Sequence, residues 1–263
     1  MFNKIILLNP IIQALIAGLF TYSITILGAS VVLIFKKINK NIMDGSLSIS
    51  AGIMIAASFF SLLLPSINMS KELKLIPWLI VSIGFISGGL FLFIGNKIYE
   101  KKMKKKEDNS IKRCIMIILS ITLHNIPEGM AVGVAFGSVI YGITGASIIS
   151  AWIIALGIGI QNFPEGSAIS LPLRREGFSR KKAFFLGQIS GIVEPIAAVI
   201  GALLVMKIRI LLPILLSFAA GAMIYVVTEE LIPESQNNKR KDLMTILTII
   251  GFTLMMILDI SLG

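Results

Sequence analysis

Eight apolar runs divide the chain, near residues 9–35, 47–67, 76–97, 112–138, 143–171, 182–206, 210–232 and 243–260. Crossing the hydrocarbon core of a bilayer as a helix takes about 20 apolar residues, and each run comes close to that or exceeds it. Backbone polar groups inside lipid must satisfy one another, so a spanning segment of this kind is helical. The pattern predicts an all-α integral membrane protein with eight transmembrane helices, forming one transmembrane unit over 1–263. Short polar breaks join the runs, and the only strongly charged one is KKMKKKEDNS at 101–110. It falls in the linker 98–111 between helices 3 and 4 and reads as a solvated cytoplasmic loop.

Composition strengthens this picture. Of 263 residues, 56% are hydrophobic and 14% charged, against about 25% charged in a soluble domain. The first run follows Lys4 without a small-residue cleavage site, so it is expected to remain as helix 1. The single cysteine, Cys114, has no partner for an internal disulfide.

A net charge of +10 would point to nucleic acid if it formed one patch. It does not. The basic residues crowd into alternate loops: Lys36, Lys37 and Lys40, then Lys97 through Arg113, Arg174 through Lys182, and Lys239 through Lys241. The opposite side holds only Lys4, Lys71, Lys74, Lys207 and Arg209. Positively charged loops stay in the cytoplasm, which places both termini outside and makes the charge a record of topology. No nucleic-acid partner is expected; the lipid bilayer is.

Two internal echoes follow. HNIPEG at 124–129 in helix 4 returns as QNFPEG at 161–166 in helix 5, and AGIMI at 51–55 in helix 2 returns as AGAMI at 220–224 in helix 7. Each member of the second pair is followed by a proline, Pro65 or Pro233. Both pairs join helices of opposite direction. They fit a pseudo-two-fold axis in the membrane plane that relates helices 1–3 to 6–8 and helix 4 to helix 5, a 3+2+3 inverted repeat of the kind secondary transporters use.

The PEG repeats also carry the chemistry. His124 and Glu128 lie four apart and share a helix face, with Asn125 about 100° round, and Gln161, Asn162 and Glu165 repeat the arrangement. Pro127 and Pro164 lack the N–H that would bond the carbonyls of Leu123 and Ile160. A third acid, Glu194, precedes Pro195 within helix 6. Buried carboxylates are expensive unless paired or neutralised, and ionisable groups inside a membrane mark functional sites by default. A divalent cation is the simplest compensator for three of them. Imidazole with carboxylate and amide oxygens suits Zn²⁺, Fe²⁺, Mn²⁺ or Cd²⁺ better than Cu(I). The structural alternatives are a His–Glu hydrogen bond for the first motif and a protonated carboxyl on a backbone carbonyl for Glu194.

HNIPEGMAVGVAFG, the PEG of QNFPEGSAISLPLR, GIVEP, and the end LMMILDISLG resemble the ZIP (Zrt/Irt-like protein) family of divalent metal transporters, close to its prokaryotic zinc-uptake branch. The resemblance implies a 3+2+3 arrangement with a metal site between helices 4 and 5. That site would hold His124, Asn125 and Glu128, with Gln161, Asn162 and Glu165 opposite, Glu194 from helix 6, and the thioether of Met54 from helix 2. It also implies a homodimer. The chain departs from the pattern at Gln161 and Asn162, where many members carry His or Asp; the amides lower the charge of the site. Its loop between helices 3 and 4 carries lysines where many relatives have histidines.

The expected function is uptake of divalent transition metal ions, foremost zinc, across the cell membrane, with the metal as cargo and no catalytic cofactor. A pore with the same ligands is the alternative. An intramembrane metalloenzyme is the more distant one, because zinc hydrolase motifs such as H-E-x-x-H use two histidines and this chain has one. Glu229 and Glu230, near the cytoplasmic end of helix 7, read either as a solvated helix end or as guides for a departing cation.

Overall fold

The computed structural model describes residues 8–34, 39–103, 109–141, 147–175, 177–208 and 210–262. Of the side chains between 99 and 124 it describes only those of Lys101, Ile118 and Thr122. Every regular element among the described residues is helical. The helices are α1 (Pro10–Ile34), α2 (Lys40–Glu72), α3 (Pro77–Met103), α4 (Asn109–Ser138), α5 (Ile148–Arg175), α6 (Arg180–Lys207), α7 (Leu211–Gln236) and α8 (Lys241–Leu262). By length and composition seven of them, all but α4, qualify as membrane spans among the described residues; α4 is 30 residues long.

Local sequence starts several of these helices. The Asn9 side chain accepts from Ile11 N–H at 2.9 Å, and Pro10, at the first helical position, lacks an N–H that would go unpaired there. Asn39 caps α2 in the same way at 2.9 Å. Ser179 caps α6 through Lys182 N–H at 3.3 Å.

The most extensive helix pairs are α1–α5, α4–α6, α3–α7 and α2–α8. Lipid supplies no hydrophobic drive between helices, so pairing relies on close backbone approach at small residues. Each pair here is closed by at least one glycine from each partner. A methyl group on Gly28 of α1 would overlap the Phe163 carbonyl of α5, and one on Gly166 of α5 would overlap the Thr25 carbonyl of α1. The same reciprocity joins Gly133 to Ala198 and Gly201 to Met130, Gly88 to Phe218 and Gly221 to Phe85, and Gly52 to Thr248 and Gly251 to Ile49. Exchanging α1–α3 with α6–α8, and α4 with α5, turns the four pairs into one another.

Helices α2 and α7 share a second feature. Each widens into a π segment, Ser58–Leu63 and Val227–Leu231, shortly before its proline. A proline ring collides with the carbonyl of residue i−4. The wider turn gives that carbonyl room, so both helices continue past Pro65 and Pro233 to Glu72 and Gln236. Of the seven spans, α3 and α8 are the least buried and carry rows of exposed Ile, Leu and Phe.

Candidate metal site

The two PEG motifs face each other from α4 and α5. Both helices run through Pro127 and Pro164 without an interruption. A single missing hydrogen bond bends a membrane helix without unwinding it when neighbouring groups take up the freed carbonyl. The interruption falls in α6 instead. A 3₁₀ turn at Ser190–Ile192 separates the segments Arg180–Ile189 and Val193–Lys207. Glu194 therefore sits in the first turn of a new helical segment, where the helix dipole favours a negative charge. Pro195 belongs in such a turn, since the first N–H groups of a helix have no partner anyway.

Asn125, Glu128, Gln161, Asn162, Glu165 and Glu194 are all buried, the most exposed being Glu165 at 6%. Gln161 Nε2 donates to Glu128 Oε1 at 2.6 Å. Asn162 Nδ2 donates to Glu194 Oε2 at 2.8 Å, and more distantly to the Thr21 carbonyl at 3.4 Å. Each amide of α5 thus ties down one acid, on α4 and on α6 respectively. Glu128, Glu165 and Glu194 act on one another electrostatically across the three helices, and Glu230 of the α7 π segment acts on Glu165. Among the described residues no three His, Cys, Asp or Glu side chains gather tightly enough to hold a metal by themselves. What gathers is a mixed set of acids and amides.

That set leaves donor atoms over. Glu128 Oε2, Gln161 Oε1, Asn162 Oδ1 and both polar atoms of the Asn125 amide are buried without a hydrogen-bond partner. An unpaired polar atom in the interior costs about 1–3 kcal/mol. Four of these five are oxygens, the donor type that hard and borderline divalent cations accept. The His124 side chain lies outside the described residues. Met54 is fully buried in the main core cluster, one turn before Ser58, whose hydroxyl bonds the Met54 carbonyl at 2.7 Å.

The ZIP zinc transporter family model matches residues 99–259, which include both PEG motifs and Glu194. The chain belongs to the ZIP zinc transporter family. Its sequence is 35% identical to zinc transporter ZIP11 of Homo sapiens, over 97% of this chain and 98% of that protein. It is 35% identical to zinc transporter GufA of Myxococcus xanthus, over 95% and 98%. With zinc transporter ZIPB of Bordetella bronchiseptica it shares 34% identity, over 95% of this chain and 81% of the other. The likeness thus extends to vertebrate as well as bacterial members.

Sequence reasoning about this ZIP member missed the contribution of α1. Thr25 Oγ1 donates to Glu194 Oε1 at 3.3 Å, and the Tyr22 hydroxyl bonds Gln188 Oε1 of α6. The signal was the spacing of Thr21, Thr25 and Gly28, which puts them on one side of an otherwise apolar run. Two further acids lie in helices outside the PEG motifs. Asp259 of α8 accepts from Ser61 at 2.6 Å and lines a cavity of about 300 Å³ together with Asn68, Ser138 and Ser150. Asp44, at the start of α2, is fully buried and accepts from Asn238 at 2.7 Å.

Proposed function

We propose that this chain carries zinc into the cytoplasm as one eight-helix transmembrane unit of the cell membrane, and that Fe²⁺, Mn²⁺ and Cd²⁺ are further substrates. The cation binds between α4 and α5 at the depth of the PEG motifs. His124, Asn125 and Glu128 hold it on one side, Gln161, Asn162 and Glu165 on the other, with Glu194 closing the site from α6 and Met54 as an outlying thioether contact. The observation that carries the reading is the set of buried, unpartnered oxygens on Asn125, Glu128, Gln161 and Asn162. A cation accepting them removes the penalty of leaving them unpaired, and its charge offsets that of the surrounding acids.

The charge of the loops supports both termini lying outside. The exchange symmetry of the four helix pairs supports a 3+2+3 inverted repeat, and rocking of the outer helices against α4 and α5 supplies alternating access. The homodimer rests on resemblance to the family.

Radiolabelled zinc uptake into proteoliposomes tests the reading, with competition by Fe²⁺, Mn²⁺ and Cd²⁺. Saturable uptake that is lost in both Glu128→Ala and Glu165→Ala is the expected result. Normal uptake by both variants overturns the site, and flux that grows linearly with concentration turns the carrier into a pore.

A further inference from the structure

Glu194 is the acid of the site whose two oxygens are both held, and they are held from different helices. Oε2 accepts from Asn162 of α5 at 2.8 Å, and Oε1 accepts from Thr25 of α1 at 3.3 Å. A carboxylate gripped at both oxygens has its plane fixed, whereas one held at a single oxygen still turns about that bond.

Thr25 is 1% exposed and Glu194 fully buried, so water does not compete for this contact. The backbone is arranged around it. Gly166 lets α5 reach the Thr25 carbonyl. Gly191, one turn before Glu194, leaves open the space beside both side chains, since a methyl group there would come within 3.1 Å of Glu194 Oε1 and of Thr25 Cγ2. The usual fate of a threonine hydroxyl in a membrane helix is the carbonyl four residues back. For Thr25 that carbonyl, on Thr21, is 3.4 Å away, no nearer than the carboxylate. The Thr21 hydroxyl is a hydrogen-bond partner of Glu194 as well and shares its one proton with the Gly18 carbonyl at 3.0 Å.

We infer that Thr25 is a positioning residue for cation binding: its hydroxyl, donated from α1, orients the Glu194 carboxylate toward the ion held between α4 and α5. The inference rests on Glu194 belonging to the cation site proposed above. It makes α1 a working wall of that site. A cation that draws Glu194 toward itself pulls against α1 and α5 together.

The test is zinc uptake by the full chain in proteoliposomes, comparing wild type with Thr25→Val, which keeps the shape and loses the hydroxyl, Thr25→Ser, which keeps the hydroxyl, Glu194→Gln, and the double variant Thr25→Val/Glu194→Gln. Thr25→Val is expected to raise KM for zinc about fivefold with Vmax little changed, the weight of one rather long hydrogen bond to a charged group. Thr25→Ser stays close to wild type, and the double variant is no worse than Glu194→Gln alone. Unchanged KM in Thr25→Val beside a raised KM in Glu194→Gln overturns the role of Thr25 and leaves the site standing. Unchanged transport in Glu194→Gln overturns both. Should Thr25→Val fail to fold, Thr25→Ala takes its place, with the same rise in KM expected and an unchanged KM counting against the role.

Discussion

Gln161 of α5 donates to Glu128 of α4 across 2.6 Å, inside a site where the other Glu128 oxygen has no partner. The amide thus acts as a partial stand-in for a cation, giving one carboxylate oxygen a positive hydrogen while the second waits. Gln161→Leu keeps the bulk of the side chain and removes this donor. The metal-free variant is expected to lose about 1–3 kcal/mol of stability, the cost of a buried acceptor left alone. Saturating zinc stabilises the variant less than wild type, because a ligand that binds only the folded state stabilises it and the substitution removes a proposed zinc contact. Thermal unfolding in detergent, with and without zinc, measures both effects; equal loss in the two conditions means that zinc does not touch Gln161.

Asn162 does the same for Glu194, 2.8 Å away. Asn162→Asp replaces the donor with a second carboxylate at that distance. Two like charges so placed repel unless a cation lies between them. The variant is expected to be less stable than wild type without metal and to gain more from zinc, with a lower Kd in equilibrium binding. Weaker zinc binding by Asn162→Asp would place residue 162 away from the ion.

The helix pairs make a prediction about folding alone. A methyl group on Gly133 would collide with the Ala198 carbonyl, whereas one on Gly89 meets its nearest atom, the Gly221 carbonyl oxygen, at 3.7 Å. Overpacking a tight contact typically costs about 1–3 kcal/mol. Gly133→Ala should lower the yield of monodisperse protein and the Tm, while Gly89→Ala leaves both unchanged. Equal behaviour of the two would show that the α4–α6 contact yields easily.

At the other end of α2, Asp44 and Asn238 form a lock between that helix and the α7–α8 turn. Asn238 donates to Asp44 Oδ2 at 2.7 Å and to Asn41 Oδ1 at 2.9 Å, and its own Oδ1 accepts from Arg240 N–H at 2.8 Å. Asp44 Oδ1 has no partner. Asn238→Ala leaves a fully buried carboxylate without its donor, for a loss of about 1–3 kcal/mol. Asp44→Asn in the same background should recover some of it, because a neutral amide is cheaper to bury than a charge. A double variant less stable than Asn238→Ala refutes the lock.

Much of this was legible along the chain because a bilayer imposes one-dimensional rules. Long apolar runs forced helices, the PEG motifs stood out as polar residues where lipid permits few, and those same motifs carried the family. The AGIMI and AGAMI echo marked two helices that share the π segment, although nothing in their composition shows how a proline-bearing helix continues. That depends on where the i−4 carbonyl goes.

Sequence by itself determined an all-helical membrane protein of the ZIP family and singled out Glu194 and the acids and amides of the PEG motifs, since the cost of polar atoms in oil is a property of each segment alone. Tertiary structure decided the rest. It set which amide meets which acid, that α6 rather than α4 or α5 is interrupted beside its glutamate, that Thr25 of α1 reaches Glu194, and that glycines close every major helix pair. These depend on distances between segments far apart in the chain, and in lipid such distances are set by close packing of backbones, which hydropathy along the chain does not record.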